Sequence, residues 1–206
     1  IHTPLRFYEL EERKFAVRGT PTDCVLFAVE KLLKDKPVGL VLSGVNRGCN
    51  VAEDVTHSGT LAAAMEATLC GIPSIAMSQA FAMWDPKATV SWELPEKMGA
   101  DLVRQVLDAG LPERSFVSIN FPDLAHDAIK GIAVTPQGER VTGKNLEERH
   151  DIHGRPYYWT HWLDKDTARQ EDSDIARLME GYVTLTPLCL DLTDYRMMER
   201  LRECVG

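Results

Sequence analysis

The sequence predicts an α/β fold of the doubly wound kind, with a mostly parallel central sheet. Three observations favour it: helix and strand patterns alternate over residues 20–121, the strands are short apolar runs, and a polar loop follows the first of these runs. Alternating helices and strands are typical of parallel sheets, whose strands are covered on both faces. The 206 residues, 44% of them hydrophobic, suffice for one core with a small extension.

The first predicted helix begins at Thr20. Threonine is a favourable N-cap, Pro21 suits the first helical position, and Asp23 stands where an acid completes a capping box. An apolar face follows before the lysines and the proline of residues 34–37 end the helix. Residues 38–42 are then a short apolar run, which predicts a central strand.

A second helix is predicted to begin at Ser58, a favourable N-cap residue. Leu61, Met65 and Leu69 recur every four positions and therefore share one helical face. A glycine and a proline end this helix, and residues 74–78 read as the next strand. Together with the first strand, these elements predict a β-α-β unit.

A further helix and strand complete the predicted core. The helix is expected from Pro95 to Gly110, and the alternating run at residues 116–121 predicts a strand that Pro122 closes. Residues 79–93 show no helical or strand period and predict a loop.

From about residue 131 the sequence changes in character, so we divide the chain into a core, residues 1–130, and an extension, residues 131–206. Aromatic and β-branched runs separated by polar stretches are typical of hairpins that project from a core. An amphipathic helix predicted at residues 195–205 has an apolar stripe that must be buried. We therefore expect a homodimer or homotetramer that associates through residues 140–206.

The strands predicted in the extension are residues 132–135, 157–162 and 181–187.

Composition excludes several classes of partner. The net charge of −8 and the pI near 5.3 argue against a general surface for duplex nucleic acid or for anionic membranes. No apolar run approaches the length of a membrane span, and no signal peptide is visible. Five cysteines without a CxxC pair fit a reducing compartment, so we expect a cytoplasmic protein.

The loop between the first predicted strand and the helix at Ser58 suits a phosphate. A helix N-terminus presents unpaired backbone N–H groups and partial positive charge. Gly59 lets an anion approach the backbone, and the hydroxyls of Ser58 and Thr60 add donors. The dinucleotide, P-loop and nucleophile-elbow motifs do not occur, so those types of site have no support.

Oxygen ligands precede that helix in the same loop. Asn46, Asn50 and Asp54 offer amide and carboxylate oxygens, which suit Mg²⁺ or Mn²⁺. The alternative is that Ser58 only caps its helix and the asparagines only turn the chain. Residue types alone leave both interpretations open.

Other candidates have a structural interpretation beside the functional one. His57 could act as a general acid near a phosphate or be a solvated loop residue. Arg47 could pair with a phosphate oxygen. Cys49 has no evident activating base, which favours a structural thiol over a nucleophile. His150 and His153 resemble metal ligands but lack a third ligand nearby in the sequence.

Three segments resemble the SurE family of 5′/3′-nucleotidases. Residues 43–66 carry Ser-Gly-Val-Asn-Arg-Gly-Cys-Asn and Ser-Gly-Thr-Leu-Ala-Ala-Ala-Met-Glu, which resemble the family signature. Residues 18–24 resemble its Gly-Thr-Pro-x-Asp-Cys segment, and residues 181–193 its late Gly-Tyr-Val-Ser-Ile-Thr-Pro-Leu and Asp-Leu-Thr motif. The segments occur in order and cover most of the chain.

The resemblance implies a Rossmann-like core, a swapped C-terminal arm, and Mg²⁺- or Mn²⁺-dependent hydrolysis of nucleoside monophosphates. It implies that Asn46 is a metal ligand and acts in catalysis together with Ser58, and that Asp191 belongs to the arm. His57 stands where many relatives are expected to have Tyr, and Tyr195 where some have His. The residues implied to face the phosphate are Asn50, Ser58, Gly59 and Thr60.

The family's remaining metal ligands, a pair of aspartates and a serine, have no counterpart in this sequence. We expect them upstream of Ile1, together with a first strand, a first helix and a second strand, and we expect the 206 residues alone to show no appreciable turnover. Two alternatives stay open. One is a broader phosphatase or exopolyphosphatase, and the other is a non-catalytic nucleotide-binding module.

Overall fold

The computed structural model describes residues 4–81, 89–140, 144–162 and 170–206. Its helices are α1 (Pro21–Phe27), α2 (Gly59–Leu69), α3 (Glu93–Ala109), α4 (Asp174–Glu180) and α5 (Tyr195–Val205). Its strands are β1 (Arg6–Glu11), β2 (Lys14–Arg18), β3 (Val41–Arg47), β4 (Ser74–Gln79), β5 (Ser115–Phe121), β6 (Gly131–Val134), β7 (Lys144–His150), β8 (Pro156–Trp162) and β9 (Tyr182–Cys189). The strand pairs β1–β2 and β7–β8 form separate antiparallel hairpins.

The central sheet has the strand order β3-β4-β5-β9-β6. β3, β4 and β5 are parallel, β9 is antiparallel to β5, and β6 is parallel to β9. The predicted mostly parallel sheet is therefore confirmed. The last residues of β3, β4 and β5 meet at one edge, which we call the carboxyl edge. Open α/β sheets bind their ligands at such an edge.

Helices cover both faces of this sheet, as the doubly wound pattern predicts. On one face, Leu102 and Val106 of α3 pack in a cluster with Ile119 of β5. On the other face, Leu61 of α2 packs with Phe116. Successive residues of a strand point to opposite faces, so β5 contributes to both layers. All six residues Phe116–Phe121 are buried, which explains why this run could be predicted as a strand from its sequence.

The first strand of the sheet differs from its prediction in position and surroundings. The prediction placed a central strand at residues 38–42, whereas β3 spans Val41–Arg47 and ends the sheet within the described residues. Its Leu42 side chain is 48% exposed. An apolar run indicates a strand but carries no information about which strands lie beside it. β4, with Ile75 and Ala76 fully buried, is covered on both faces, as β5 is.

α1 begins as predicted and ends in a different geometry. The backbone N–H of Asp23 donates to Thr20 Oγ1 at 3.2 Å, and the Thr20 N–H donates to Asp23 Oδ2 at 2.8 Å, which completes the capping box. After Phe27 the helix continues as a π-helical turn, Ala28–Leu32. The hairpin β1–β2, which precedes α1, was not predicted.

The extension supplies part of the central sheet and a projecting hairpin. The predicted strands at residues 132–135, 157–162 and 181–187 correspond to β6, β8 and β9, and the predicted terminal helix to α5. β6 and β9 lie in the same sheet as the core strands. The short helix α4 was not predicted. Among the described ranges, no helix is both long enough and apolar enough to cross a membrane.

Candidate active site

β3 bulges just before the carboxyl edge. Gly44 and Val45 together stand opposite the single residue Met77 of β4, and Asn46 then pairs with Ser78. Gly44 has a φ of +127°, and a Cβ there would lie 2.2 Å from the Met77 carbonyl oxygen. Only glycine combines that backbone conformation with so close an approach. The Gly44–Val45 peptide bond is cis. The bulge therefore delivers Asn46 to the end of the strand.

The Asn46 side chain shapes the turn that follows. Its Nδ2 donates to the Gly48 carbonyl at 2.9 Å. The Asn46 Oδ1 is an acceptor with two lone pairs, and it is the oxygen that suits a hard cation or a water. Asn46 lies at the carboxyl edge as predicted, and its assignment as a metal ligand stays a prediction.

A buried polar network fixes the next part of the loop. The backbone N–H of Asn50 donates to Asn120 Oδ1 at 2.8 Å, and Asn120 Nδ2 donates to the Asn50 carbonyl and to Ser118 Oγ, each at 3.2 Å. Asn50 Nδ2 donates to Ser78 Oγ at 2.7 Å. These four residues are all buried. The Asn50 amide is thus held against β4 and β5, and its predicted contact with phosphate stays untested.

A 3₁₀ turn, Ala52–Thr56, connects Asn50 to the start of α2. Asp54 Oδ2 accepts the backbone N–H of Val51 at 3.2 Å and pairs with the Arg140 guanidinium. The Asp54 and Arg140 side chains are only 19% and 11% exposed. The Asp54 carboxylate thus closes the turn and forms an ion pair with Arg140, and its suggested role as a metal ligand stays a prediction.

α2 begins at Ser58 as predicted, and the Leu61 N–H donates to Ser58 Oγ at 3.2 Å. Gly59 has a packing role that sequence reasoning did not include. A Cβ at Gly59 would lie 2.9 Å from Pro21 Cγ, so glycine lets the starts of α1 and α2 approach closely. Gly59 and Thr60 are half-buried at the first turn of the helix. Their predicted contact with phosphate is not tested by these contacts.

A buried carboxylate outside the predicted set joins the loop to the extension. Asp174 is 1% exposed, and its oxygens accept the backbone N–H groups of Ala52, Gly138 and Ile175 at 3.0, 2.9 and 2.6 Å. Burial raises the pKa of the Asp174 carboxyl, and the three N–H donors and the charge of Arg140 offset this only in part.

Sequence reasoning missed Ser78, Asn120 and Asp174 as members of this region. Asn120 was within a predicted strand, and an amide side chain at the carboxyl end of that strand, two residues before Pro122, is the signal that could have marked it. Asp174 carried no comparable signal, because its partner Ala52 is 122 positions away.

The remaining candidates of the loop have other contacts. The Arg47 guanidinium lies over the Phe81 ring, 4.6 Å from its centroid. His57 is exposed, and its backbone N–H donates to the Asp54 carbonyl at 3.0 Å. Cys49 is half-buried and packs against the cluster of Val51 and Ile175.

His150 and His153 lie at the tip of the β7–β8 hairpin, which is a two-stranded sheet of its own. His150 Nε2 lies 3.4 Å from Glu148 Oε1, and the His153 N–H donates to Asp151 Oδ1 at 2.8 Å. Within the described ranges there is no group of three or more His, Cys, Asp or Glu side chains placed to hold a metal ion. These two histidines therefore gain no support as metal ligands.

Fold and site together define an α/β protein of the Rossmann-like class whose carboxyl edge carries an amide- and hydroxyl-rich loop before a helix start. The chain belongs to the SurE family: the family model described as "Survival protein SurE" matches residues 1–144.

Relatives of this chain agree with that assignment. A 5′-nucleotidase SurE of Chelativorans sp. strain BNC1 is 44% identical over 206 residues, which are 100% of this chain and 81% of the relative. A 5′-nucleotidase SurE of Bradyrhizobium sp. strain ORS 278 is 48% identical over 198 residues, 94% of this chain and 77% of the relative. The crystal structure of the SurE protein from Aquifex aeolicus superposes with a TM-score of 0.82 at 36% identity, covering 100% of this chain and 82% of that chain.

Proposed function

We propose that this protein is a 5′-nucleotidase that hydrolyses nucleoside monophosphates to a nucleoside and phosphate, with 3′-nucleotides as further substrates. The observation that carries the proposal is identity of 43–48% over 94–100% of the chain with relatives named 5′-nucleotidase SurE. The geometry of the carboxyl edge supports it, because an anion-binding helix start and amide oxygens follow the same strand.

The start of α2 is the proposed phosphate site. α2 is 11 residues long, so its first turn carries the full partial charge of a helix terminus. Ser58 Oγ accepts a hydrogen bond from the Leu61 N–H. The hydroxyl hydrogen of Ser58 is not used in that bond and can be donated to a phosphate oxygen. The N–H groups of Gly59 and Thr60 would bind the equatorial oxygens, where negative charge grows in the transition state.

We further propose dependence on a divalent metal, Mg²⁺ or Mn²⁺, with Asn46 Oδ1 as one ligand. Such an ion would neutralise phosphate charge and would lower the pKa of a water molecule bound to it. Asn46 fits as a neutral oxygen ligand at the carboxyl edge. Among the described residues, no group of three or more His, Cys, Asp or Glu side chains completes the ligand set.

Hydrolysis of AMP and GMP by the full-length protein tests the proposal. We expect turnover with Mn²⁺, loss of turnover with EDTA, and recovery when Mn²⁺ or Mg²⁺ is added back. Values of kcat/KM for 3′-AMP, sugar phosphates and short polyphosphate then distinguish a nucleotidase from a broader phosphatase. Nucleotide binding without turnover would instead identify a non-catalytic binding module, and turnover that EDTA does not affect would contradict the metal assignment.

A variant of Asn46 tests the metal ligand separately. Asn46→Ala should raise the Mn²⁺ concentration needed for half-maximal activity by about 10-fold or more, as loss of metal-site groups does. Thr56→Ala, an exposed residue of the same loop, is the control and should leave that concentration unchanged. Equal behaviour of the two variants would remove Asn46 from the ligand set.

We propose a homodimer or homotetramer that associates through residues 140–206. α5 has no buried residue, and its Met197, Leu201 and Val205 are 46%, 49% and 82% exposed. Tyr158 and Trp159 of the β7–β8 hairpin are also exposed. Light scattering should report an oligomer that deletion of residues 190–206 weakens, and a monomer in both cases would contradict the proposal.

We also propose a cytoplasmic location. None of the five cysteines, all of which lie in the described ranges, forms a disulfide, which is compatible with a reducing compartment. Fractionation of cells that express the full-length protein checks this location, and recovery outside the cytoplasmic fraction would contradict it.

A further inference from the structure

Ala52 has a backbone conformation that alanine rarely adopts. Its φ is +54°, in the left-handed region, and its side chain is fully buried. A non-glycine residue stays in that region only when the surrounding structure holds it there. Ala52 begins the 3₁₀ turn that leads from Asn50 to Ser58. Its conformation therefore sets the direction in which the chain reaches the proposed phosphate site.

Both backbone polar groups of Ala52 are held by side chains from the extension. Its N–H donates to Asp174 Oδ2 at 3.0 Å, and its carbonyl accepts from Gln137 Nε2 at 3.0 Å. Asp174 Oδ1 accepts the N–H groups of Gly138 and Ile175 as well. One buried carboxylate thus joins the 3₁₀ turn, the segment that follows β6, and the first turn of α4.

We propose that Asp174 is a positioning residue of the active site, which acts through Ala52 and touches no reacting atom. By holding Ala52 in the left-handed conformation, it keeps the turn between Asn50 and Ser58 in the arrangement that binds phosphate. Asn50 is already fixed by Asn120, so Ala52 is the point at which the turn could change direction. This inference rests on the proposed nucleotidase function.

A carboxylate suits this position because it accepts three N–H groups and donates none. The Asp174→Asn variant has nearly the same shape but offers one acceptor oxygen and an amide that donates. One of the three N–H groups then faces another donor. We expect the turn to spend less time in its binding arrangement, while the rest of the fold keeps its packing.

The kinetic signature separates positioning from general destabilisation. When only a fraction of the folded enzyme is competent to bind, the apparent dissociation constant rises by the inverse of that fraction. Asp174→Asn should therefore raise KM for AMP by roughly 10-fold, with kcat at saturation changed by less than about 2-fold. A merely unstable variant would show the reverse, a lower kcat from lost active enzyme at unchanged KM.

Two further variants sharpen the test. Glycine adopts positive φ readily, so Ala52→Gly in the Asp174→Asn background should lower the KM most of the way back to the wild-type value. Asp172→Asn is the matched control, because Asp172 lies two residues before Asp174 in the sequence. Its side chain is 79% exposed and pairs with Arg177. Gln137→Met, at an exposed position, removes the other hydrogen bond to Ala52 and should raise KM in the same direction but less. The Gln137→Met variant replaces Asp174→Asn in the test if Asp174→Asn does not fold.

Amide hydrogen exchange provides a readout that does not depend on activity. Residues 51–56 should exchange faster in Asp174→Asn than in the wild type and at the wild-type rate in Asp172→Asn. If the wild type hydrolyses no nucleotide, the proposed function fails, and the exchange experiment still decides whether Asp174 holds the turn. Unchanged exchange, a fall in kcat at constant KM, or a double variant with no recovery would each overturn the inference.

Discussion

Asn50 and Asn120, which are 70 positions apart in the sequence, exchange two hydrogen bonds in the manner of neighbouring strands. The Asn50 N–H donates to Asn120 Oδ1 at 2.8 Å, and Asn120 Nδ2 donates to the Asn50 carbonyl at 3.2 Å. A side-chain amide thereby satisfies both backbone polar groups of a buried residue, which would be costly to leave without partners. The link ties the loop after β3 to the carboxyl end of β5, and the proposed site depends on that connection.

Removal of the Asn120 amide should destabilise the protein strongly. Asn120→Ala leaves the buried N–H and carbonyl of Asn50 without partners, and each such group costs about 1–3 kcal/mol. We expect the free energy of unfolding to fall by about 2–4 kcal/mol in urea titration. Ser118→Ala removes only one acceptor of the Asn120 amide and should cost about 1 kcal/mol. Equal losses for the two variants would show that the Asn50 contact is not the source of the stability.

The bulge in β3 makes a second prediction about stability. Gly44→Ala forces a Cβ against the Met77 carbonyl at a φ of +127°, so we expect a loss of at least about 3 kcal/mol, or no folded protein. Gly39→Ala is the matched control, since among the described residues no atom beyond the two chain neighbours lies within 4 Å of the added Cβ. Its free energy of unfolding should change by no more than about 0.5 kcal/mol. A stable Gly44→Ala protein would show that the bulge is not required.

Two substitutions of Ser58 separate helix capping from phosphate binding. Asp is as good an N-cap as Ser, so Ser58→Asp should keep the free energy of unfolding within about 0.5 kcal/mol, whereas Ser58→Ala should lose about 1 kcal/mol. A carboxylate at the phosphate site repels the substrate and removes a donor. We therefore expect Ser58→Asp to lower kcat/KM for AMP by about 10²-fold or more. Full activity of Ser58→Asp would place the phosphate elsewhere.

The elements that could be predicted from sequence are those whose signals are local. The bounds of α2 follow from Ser58 as a cap and from apolar residues four apart, and the structure confirms both ends closely. β5 likewise alternates within its own residues. β3 was misplaced because the bounds of a strand are set by its hydrogen bonds to a neighbouring strand, here β4. The apolar run at residues 38–42 carries no information about that pairing.

The parts of the site that could not be predicted depend on distant contacts. Asn46 and Ser58 were identified because they flank one loop in a recognisable motif. Asn120 and Asp174 reach the same loop only through the tertiary fold, across 70 and 122 positions. Neither spacing nor composition determines such contacts. The positive φ of Ala52 is hidden for the same reason, since alanine alone gives no signal of it.

The link between Asp191 and Tyr195 predicts a pH response of the segment that leads into α5. The side chain of Thr193, the Tyr195 hydroxyl and the Thr193 N–H together lower the pKa of Asp191 from 3.8 to about 2. Because the folded segment prefers the ionised carboxyl of Asp191, this contribution to stability is present above the ordinary pKa and is lost as the pH falls through about 2. Tyr195→Phe removes one donor and should raise the pKa of Asp191 part of the way toward 3.8, as followed by NMR of its side-chain carboxyl carbon. Tyr158→Phe, an exposed tyrosine of the hairpin, should leave that pKa unchanged, and an unshifted pKa in Tyr195→Phe would show that the hydroxyl does not bind the carboxylate in solution.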